Sequence, residues 1–433
     1  AKTVFLFFLG LIAAGAILLS LPVSRNAGAA FSPLISVFTS VSAVCVTGLS
    51  IVDIGSYFSF FGQALILVLV QLGAMGYMFV STVVALLIGK MALKDRRIMK
   101  EMFDVSSFNG LKELLIKAVV FVVSIEGAGA VVLSVLFMRE YPFFKSVYLG
   151  IFYSVAAFCN AGFSLFEHSL SGYAYNPAIL YVIAALIILG GLGFFVIVDI
   201  FDTYKNKRIH LSTNTKVILS VTLIVISSGF LIFLLSERTG VLKNHGLFYC
   251  LNNAFFQIVS ARTAGFSSIP ASLYNEFTDS VLILIMSIGA APGSTAGGIK
   301  VTTVALVFVF VRSVIMSEED AVLFKRIIPA DLIKKSLAIF IIFFASISVF
   351  STLMILFEPD KRPIKVIFEV VSAFGTSGLS AGITDKLSLC GKIIIMLSMI
   401  AGRIGIITIL IMMLTSAQKK KRVKYPQARI LVG

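Results

Sequence analysis

Long apolar stretches alternate with shorter ones along the chain. Seven stretches reach the roughly 20 residues a helix needs to cross a bilayer: 3–21, 62–88, 114–138, 176–200, 215–235, 332–357 and 389–415. An eighth, 278–316, is longer than one span and is interrupted by Gly289, Pro292, Gly293, Gly297 and Gly298. Four shorter runs, 31–44, 144–158, 246–260 and 363–374, lie between them. They are too short to span and suit segments that enter a membrane and return. The order long, short, long recurs four times and predicts eight crossings, with the first stretch read as a span and not a cleaved leader.

The four short runs end alike, in Thr47-Gly48-Leu49-Ser50, Ala161-Gly162-Phe163-Ser164, Ala264-Gly265-Phe266-Ser267 and Ser377-Gly378-Leu379-Ser380. Ten residues before each glycine stands Phe38, Phe152, Phe255 or Phe368, and seven before stands Val41, Val155, Ile258 or Val371. The glycines are 114, 103 and 113 residues apart. These shared columns in four copies mark an internal repeat. It continues into the following helix, where Gly73 and Gly76 match Gly190 and Gly193, Gly289 and Gly293, and Gly402 and Gly405. Ordinary small-residue helix packing is the plain reading of these glycines. The units fall at 1–89, 90–200, 201–316 (with a broken segment at about 289–299) and 317–416, followed by a basic tail, 417–433.

Composition excludes most other classes. Of 433 residues 58% are hydrophobic and 13% charged, with a mean hydropathy of +1.03, against about 45–50% and about 25% for a soluble domain. The net charge of +15 does not mark a nucleic-acid binder, because the bases lie in short clusters between apolar spans. The segments joining one repeat to the next, with Lys2 and the tail, hold 23 Lys and Arg, and the opposite side holds ten. That asymmetry predicts a multi-pass protein with both termini cytoplasmic and four re-entrant loops entering from outside. Four scattered cysteines and three scattered histidines give no metal or disulfide framework.

Four like loops at membrane depth are tolerated only where they line a watery cavity or are buried in protein. Glycine lets the backbone turn its carbonyls inward, and a ring of carbonyls replaces the hydration shell of a monovalent cation. The partly negative C-terminal end of each short helix lies at its loop, which favours a cation there, and four such loops can converge on a pseudo-fourfold axis. Only Arg262 puts a base in such a loop. Asp53, Glu167, Glu276, Asp279 and Asp385 lie just beyond the loops and are expected to gather cations at the outer mouth.

With these residues the chain resembles the Trk/Ktr/HKT superfamily of potassium transporters, and within it the Ktr membrane subunit KtrB. The likeness covers essentially the whole chain and rests on the four ordered glycines and on Arg262-Thr263-Ala264-Gly265-Phe266. It implies an all-α polytopic membrane protein of four M1–P–M2 units around one pore with pseudo-fourfold symmetry. It implies potassium bound by carbonyls of a filter at Val46, Thr47 and Gly48; Asn160, Ala161 and Gly162; Thr263, Ala264 and Gly265; and Thr376, Ser377 and Gly378. In plant HKT relatives a serine at the first glycine accompanies sodium selectivity, so Gly48 implies potassium. The stretch Ala291, Pro292, Gly293, Ser294, Thr295, Ala296, Gly297, Gly298 resembles the intramembrane loop that plugs the pore below the filter. The resemblance further implies a homodimer in the cell membrane, a cytosolic KtrA-like ring of RCK domains that binds the regulatory nucleotide, and a role for sodium. No covalently bound cofactor and no nucleic acid are expected. The 90–117 loop and the tail are the expected docking sites, or else contacts with anionic lipid.

The residues also support part of this directly. Proline costs about 3 kcal/mol and glycine about 1 in a helix interior, so 289–299 is no regular span. Its likeness to a phosphate loop fails, because the lysine is one position late and the context is not strand-to-helix. Arg403, alone in an apolar span, costs at least about 2.5–3.5 kcal/mol. Repeat alignment sets it level with Ala74, Gly191 and Ala290. It is expected to face the axis as an electrostatic barrier hydrogen-bonded to loop carbonyls, the alternative being an ion pair with Glu126. Lys300 is expected at the inner mouth or snorkelling, and Glu369 as a tether for the fourth loop. A secondary transporter for another substrate would use broken helices too, but commonly in two inverted repeats. An intramembrane enzyme would need a cluster of His, Cys or carboxylates.

Overall fold

The computed structural model describes residues 2–88, 108–205 and 211–405. The tail and most of the 90–117 loop, with their expected docking roles, lie outside the described residues. Four units follow one another, each a first helix, a short pore helix and a second helix. The first comprises α1 (Lys2–Ser20), α2 (Pro33–Val44) and α3 (Phe60–Ile88). The second comprises α4 (Phe108–Phe137), α5 (Phe143–Phe158), α6 (Pro177–Leu192) and α7 (Phe194–Lys205). The third holds α8 (Thr213–Ser236), α9 (Leu247–Thr263), α10 (Glu276–Ser287) and α11 (Val301–Ile315). A two-stranded hairpin, β1 (Val322–Leu323) and β2 (Arg326–Ile327), leads to the fourth: α12 (Ala330–Phe357), α13 (Pro363–Phe374) and α14 (Leu389–Ile404). This is a polytopic membrane fold of four M1–P–M2 units around a central pore.

Local chemistry sets the element ends. Proline opens α2 and α13 at the first turn, where its missing N–H is not needed. The side chains of Asn275 and Ser388 cap α10 and α14 by accepting from Thr278 N (2.8 Å) and Gly391 N (3.1 Å). Their own backbone N–H groups are bound by Glu237 Oε1 (3.1 Å) and Glu358 Oε1 (2.7 Å), from the ends of α8 and α12. Each carboxylate therefore ties the end of a first helix to the start of the second helix of its own unit.

Burial follows the repeat in three of its four copies: Phe38, Phe152 and Phe368 of the pore helices are fully buried, and Phe255 of the third is half-buried. Outward residues such as Val131, Leu223 and Ile341 are apolar and exposed, as lipid-facing positions are. Among the described residues three unbroken helices are long and apolar enough to span: Lys117–Phe137, Thr213–Ser236 and Ala330–Phe357. All three are first helices.

The second helices differ from expectation. The stretches 62–88, 176–200 and 389–415 read as continuous spans, yet each is interrupted, at Gly76 (φ 70°), Gly193 (φ 77°) and Gly405 (φ 83°). At Gly193 the chain bends by 90°. Gly293 (φ 73°), one residue later relative to Gly289, is the corresponding positive-φ glycine of the third unit. With ψ of 167° at Gly76, 151° at Gly193 and 123° at Gly405, these positive-φ backbones belong to or border a region that is essentially glycine's alone. The helix break foreseen only for the third unit thus occurs in all four.

Candidate ion pathway

The four pore helices point their C-terminal ends at one axis. In three units the helix closes with a Schellman turn, whose defining 6→1 bonds are Thr47 N to Ser42 O (2.9 Å), Ala161 N to Ala156 O (2.8 Å) and Ser377 N to Ser372 O (2.8 Å). The left-handed position of that turn normally takes glycine. Here it takes Val46 (φ 55°), Asn160 (φ 58°) and Thr376 (φ 50°). Two of these are β-branched, a strained choice that persists only where the surroundings impose it. The third unit departs. Its Thr263 remains helical, and Gly265 N bonds Ser260 O (3.1 Å) instead.

Beyond each turn stands the repeated glycine, with φ of 91° at Gly48, 67° at Gly162, 77° at Gly265 and 83° at Gly378. These four glycines meet in a ring. A Cβ on Gly162 would stand 2.6 Å from Ala264 O, and one on Gly265 2.6 Å from Ser377 O. One on Gly48 would strike Ala161 O, and one on Gly378 would strike Thr47 O. Each glycine is packed against the carbonyl before the next glycine, and the order 1, 2, 3, 4 closes on itself. No side chain fits this gap without displacing a carbonyl.

The serine two residues on turns the chain away from the ring. Val52 N and Phe166 N donate to Ser50 Oγ (3.3 Å) and Ser164 Oγ (3.0 Å), and Gly382 N donates to Ser380 Oγ (3.0 Å). Ser267 Oγ donates to Ile269 O in the corresponding place. Glu369, fully buried, accepts from Ser380 Oγ (2.6 Å), Ala381 N (2.9 Å) and Thr384 Oγ1 (2.9 Å), the tether expected of it. One side of the ring opens into a cavity of about 450 Å³ lined by all four serines and by Asp53, Glu167, His168 and Asp385. Two of the five expected mouth carboxylates are elsewhere. Asp279 is fully buried against Lys365 (2.8 Å), and Glu276 pairs with Arg362 (3.4 Å).

On the other side of the ring lies the broken segment. It leaves α10, returns through a bridge between Ile288 and Ile299, and is held by hydrogen bonds from several units. Ala291 N donates to Gly191 O (3.0 Å). Thr295 Oγ1 donates to the Asn160 side-chain oxygen (3.1 Å), with the Asn160 nitrogen donating to Ile187 O and Ala157 O. Gly297 N donates to Thr376 Oγ1 (2.9 Å). At Gly293 an added Cβ would stand 2.8 Å from the Phe195 ring. Ala291, Ala296 and Gly297 are buried, while Pro292, Ser294, Thr295 and Gly298 are half-buried and Gly293 is exposed.

Arg403 lies in the last turn of α14. Its Nη1 donates to Thr295 O (2.5 Å), and its Nη2 donates to Gly73 O (2.5 Å) and Ala74 O (3.2 Å). It therefore clamps the segment to the second helix of the first unit. The alternative pair with Glu126 is not made: Glu126 accepts from Gln71 Nε2 (3.1 and 3.2 Å) and lies 3.8 Å from Cys159 Sγ. Lys300 neither snorkels nor stands free, because its Nζ donates to Ala296 O (2.6 Å). Arg262 is buried in the last turn of α9 with Nε unpartnered.

The sequence reading missed the contacts of Asn160 and Thr376 with the segment. The column two before each glycine (Val46, Asn160, Thr263, Thr376) carried the signal, since only Asn160 and Thr376 pair a polar side chain with the left-handed turn. It also left half open the second-helix glycines. A Cβ on Gly73, Gly190 or Gly402 would strike the carbonyl of Val44, Phe158 or Phe374 at the pore-helix end of its own unit, and one on Gly289 would strike Gly297 O.

A family model described as TrkH, cation transport protein, matches residues 7–425. The chain belongs to that family. It is a transport protein of the membrane and not an enzyme. It is 37% identical to the potassium/sodium uptake protein NtpJ of Enterococcus hirae, over 99% of this chain and 95% of the relative. It is 35% identical to the Ktr system potassium uptake protein B of Vibrio alginolyticus, over 100% of this chain and 94% of the relative. The crystal structure of the potassium transporter TrkH from Vibrio parahaemolyticus shares the fold, with a TM-score of 0.68 at 19% identity over 94% of this chain and 83% of that one.

Proposed function

We propose that the chain takes up potassium across the cell membrane through the ring formed at Gly48, Gly162, Gly265 and Gly378. The observation that carries this is the closed contact of each glycine with its neighbour's carbonyl. It leaves oxygen dipoles and no side chains around the axis, the arrangement that substitutes for a cation's water. The carbonyls of Val46, Thr47, Asn160, Ala161, Thr263, Ala264, Thr376 and Ser377 complete the ladder below and beside it. Asp53, Glu167 and Asp385 at the wide mouth raise the local cation concentration. That mouth faces outward and both termini are cytoplasmic, a reading supported by the Lys and Arg bias of the connecting segments.

The segment from Ala291 to Gly298 closes the path on the cytoplasmic side of the ring, and Arg403 holds it closed while repelling cations. Sodium acts as an activator or second ion, a reading supported by the name of the Enterococcus relative. The working assembly is a homodimer with a cytosolic KtrA-like ring of RCK domains, which binds the nucleotide; potassium is cargo and no covalent cofactor takes part. Potassium, rubidium and sodium fluxes into proteoliposomes test the reading. Uptake of potassium and rubidium far above sodium supports it, and equal flux of all three overturns it.

A further inference from the structure

The closing segment touches the filter turns themselves, at two of four places. Thr295 meets Asn160 and Gly297 meets Thr376. These residues hold the same position in units two and four, which stand diagonally across the ring. Both occupy the left-handed turn that shapes the carbonyls after it. The other two units offer the segment no such partner: Val46 has the turn but no polar group, and Thr263 has the hydroxyl but not the turn.

Thr376 is the sharper of the pair. It is β-branched at φ 50° and fully buried. Such a backbone is strained and persists only while neighbours hold it. Its hydroxyl oxygen accepts from Gly297 N at 2.9 Å, and a Cβ on Gly297 would stand 2.7 Å from Thr376 Cγ2 and 3.1 Å from Thr376 Cβ. Only glycine allows this approach. Gly298, also left-handed, brings the segment within 3.4 Å of Gly375 O by the same measure.

We propose that Thr376 is a specificity-determining residue through which the position of the closing segment sets how well the ring separates potassium from sodium. This rests on the reading under Proposed function. With the segment seated, Gly297 braces the fourth turn and Thr295 the second, and the carbonyls after them are fixed at the potassium spacing. When the segment leaves, Thr376 loses its partner, and the turn keeps its own backbone bonds while the carbonyls after it lose their brace. Release of the path and loosening of the filter are then one event, and whatever holds the segment also tunes ion choice.

Thr376→Val isolates the bond. It keeps the branched shape, and Val46 shows that valine occupies this turn in the first unit. In proteoliposomes the variant is expected to raise potassium flux and lower the potassium-to-sodium ratio, each by about two- to tenfold, the span one neutral hydrogen bond commands. Thr376→Ser, which keeps the hydroxyl, is expected to recover most of the ratio. Gly297→Ala, from the segment side, is expected to reproduce the valine phenotype and replaces it should that variant aggregate. A cysteine placed by Ser294→Cys reads the segment without any ion. Its modification by a polar thiol reagent is expected to quicken with Thr376→Val and not with Thr376→Ser. An unchanged ratio and an unchanged modification rate in Thr376→Val and Gly297→Ala would overturn the proposal. A wild-type chain without potassium-selective flux instead overturns the functional reading, and the modification rate alone then decides whether Thr376 holds the segment.

Discussion

Arg403→Ala removes three hydrogen bonds at once, and only one of them bears on the 291–298 segment proposed to close the path. The bond from Nη1 to Thr295 O (2.5 Å) holds the segment, while those to Gly73 O and Ala74 O hold the arginine. A hydrogen bond from a charged donor is worth about 1.5–3 kcal/mol. At about 1.4 kcal/mol per tenfold, losing it raises the released population by roughly ten- to a hundredfold. The same substitution removes a positive charge from the path, which acts in the same direction. Arg403→Lys retains the charge but cannot reach both carbonyl sets with a planar fork, so its flux is expected to fall between wild type and alanine. The assay is potassium-driven uptake into proteoliposomes, on protein shown monodisperse by gel filtration. Flux in Arg403→Ala equal to or below wild type, with the fold intact, would refute both the clamp and the barrier.

Other expectations follow from the same geometry. Glu369→Gln leaves the Ser380, Ala381 and Thr384 donors with a weaker acceptor; it is expected to cost about 1–3 kcal/mol, read as a lower thermal midpoint in detergent and a reduced potassium-to-sodium ratio. Gly402→Ala would drive a methyl into the Phe374 carbonyl and is expected to lower the midpoint by several degrees, while an alanine at Gly127, which has open space around it, is expected to leave it nearly unchanged. Neutralising Asp53, Glu167 and Asp385 together is expected to reduce uptake at low ionic strength and to matter little at high, because screening removes the same attraction.

How much of this was legible in the residues varied with the physics involved. Apolar length and the small-Gly-Leu/Phe-Ser column fixed four units and their pore helices closely: 363–374 was read to the residue, and 31–44 and 144–158 to within two. The third ran three residues past its reading, because Arg262 and Thr263 continue the helix where the other units turn. The second-helix breaks at Gly76, Gly193 and Gly405 were hidden, since an isolated glycine among leucines reads equally as packing and as a left-handed hinge. Arg403 announced itself by cost, yet its partners did not: Gly73 and Ala74 are 330 and 329 residues away, and backbone carbonyls leave no mark in a sequence. Asp279 and Glu276 were misplaced for a like reason. Position after a loop says where a carboxylate starts, and only the fold says that Lys365 and Arg362 are waiting for it.

The ring itself is tested by potassium, rubidium and sodium uptake into proteoliposomes of the wild-type chain and of Gly48→Ser. The serine side chain would meet Ala161 O, at a backbone φ of 91°, so it must push one carbonyl from the ring. Potassium-selective uptake in the wild type, weakened or turned toward sodium by the substitution, is the result expected. Identical ratios for both proteins, or a wild type that passes all three cations or anions alike, would contradict a filter built from these four glycines.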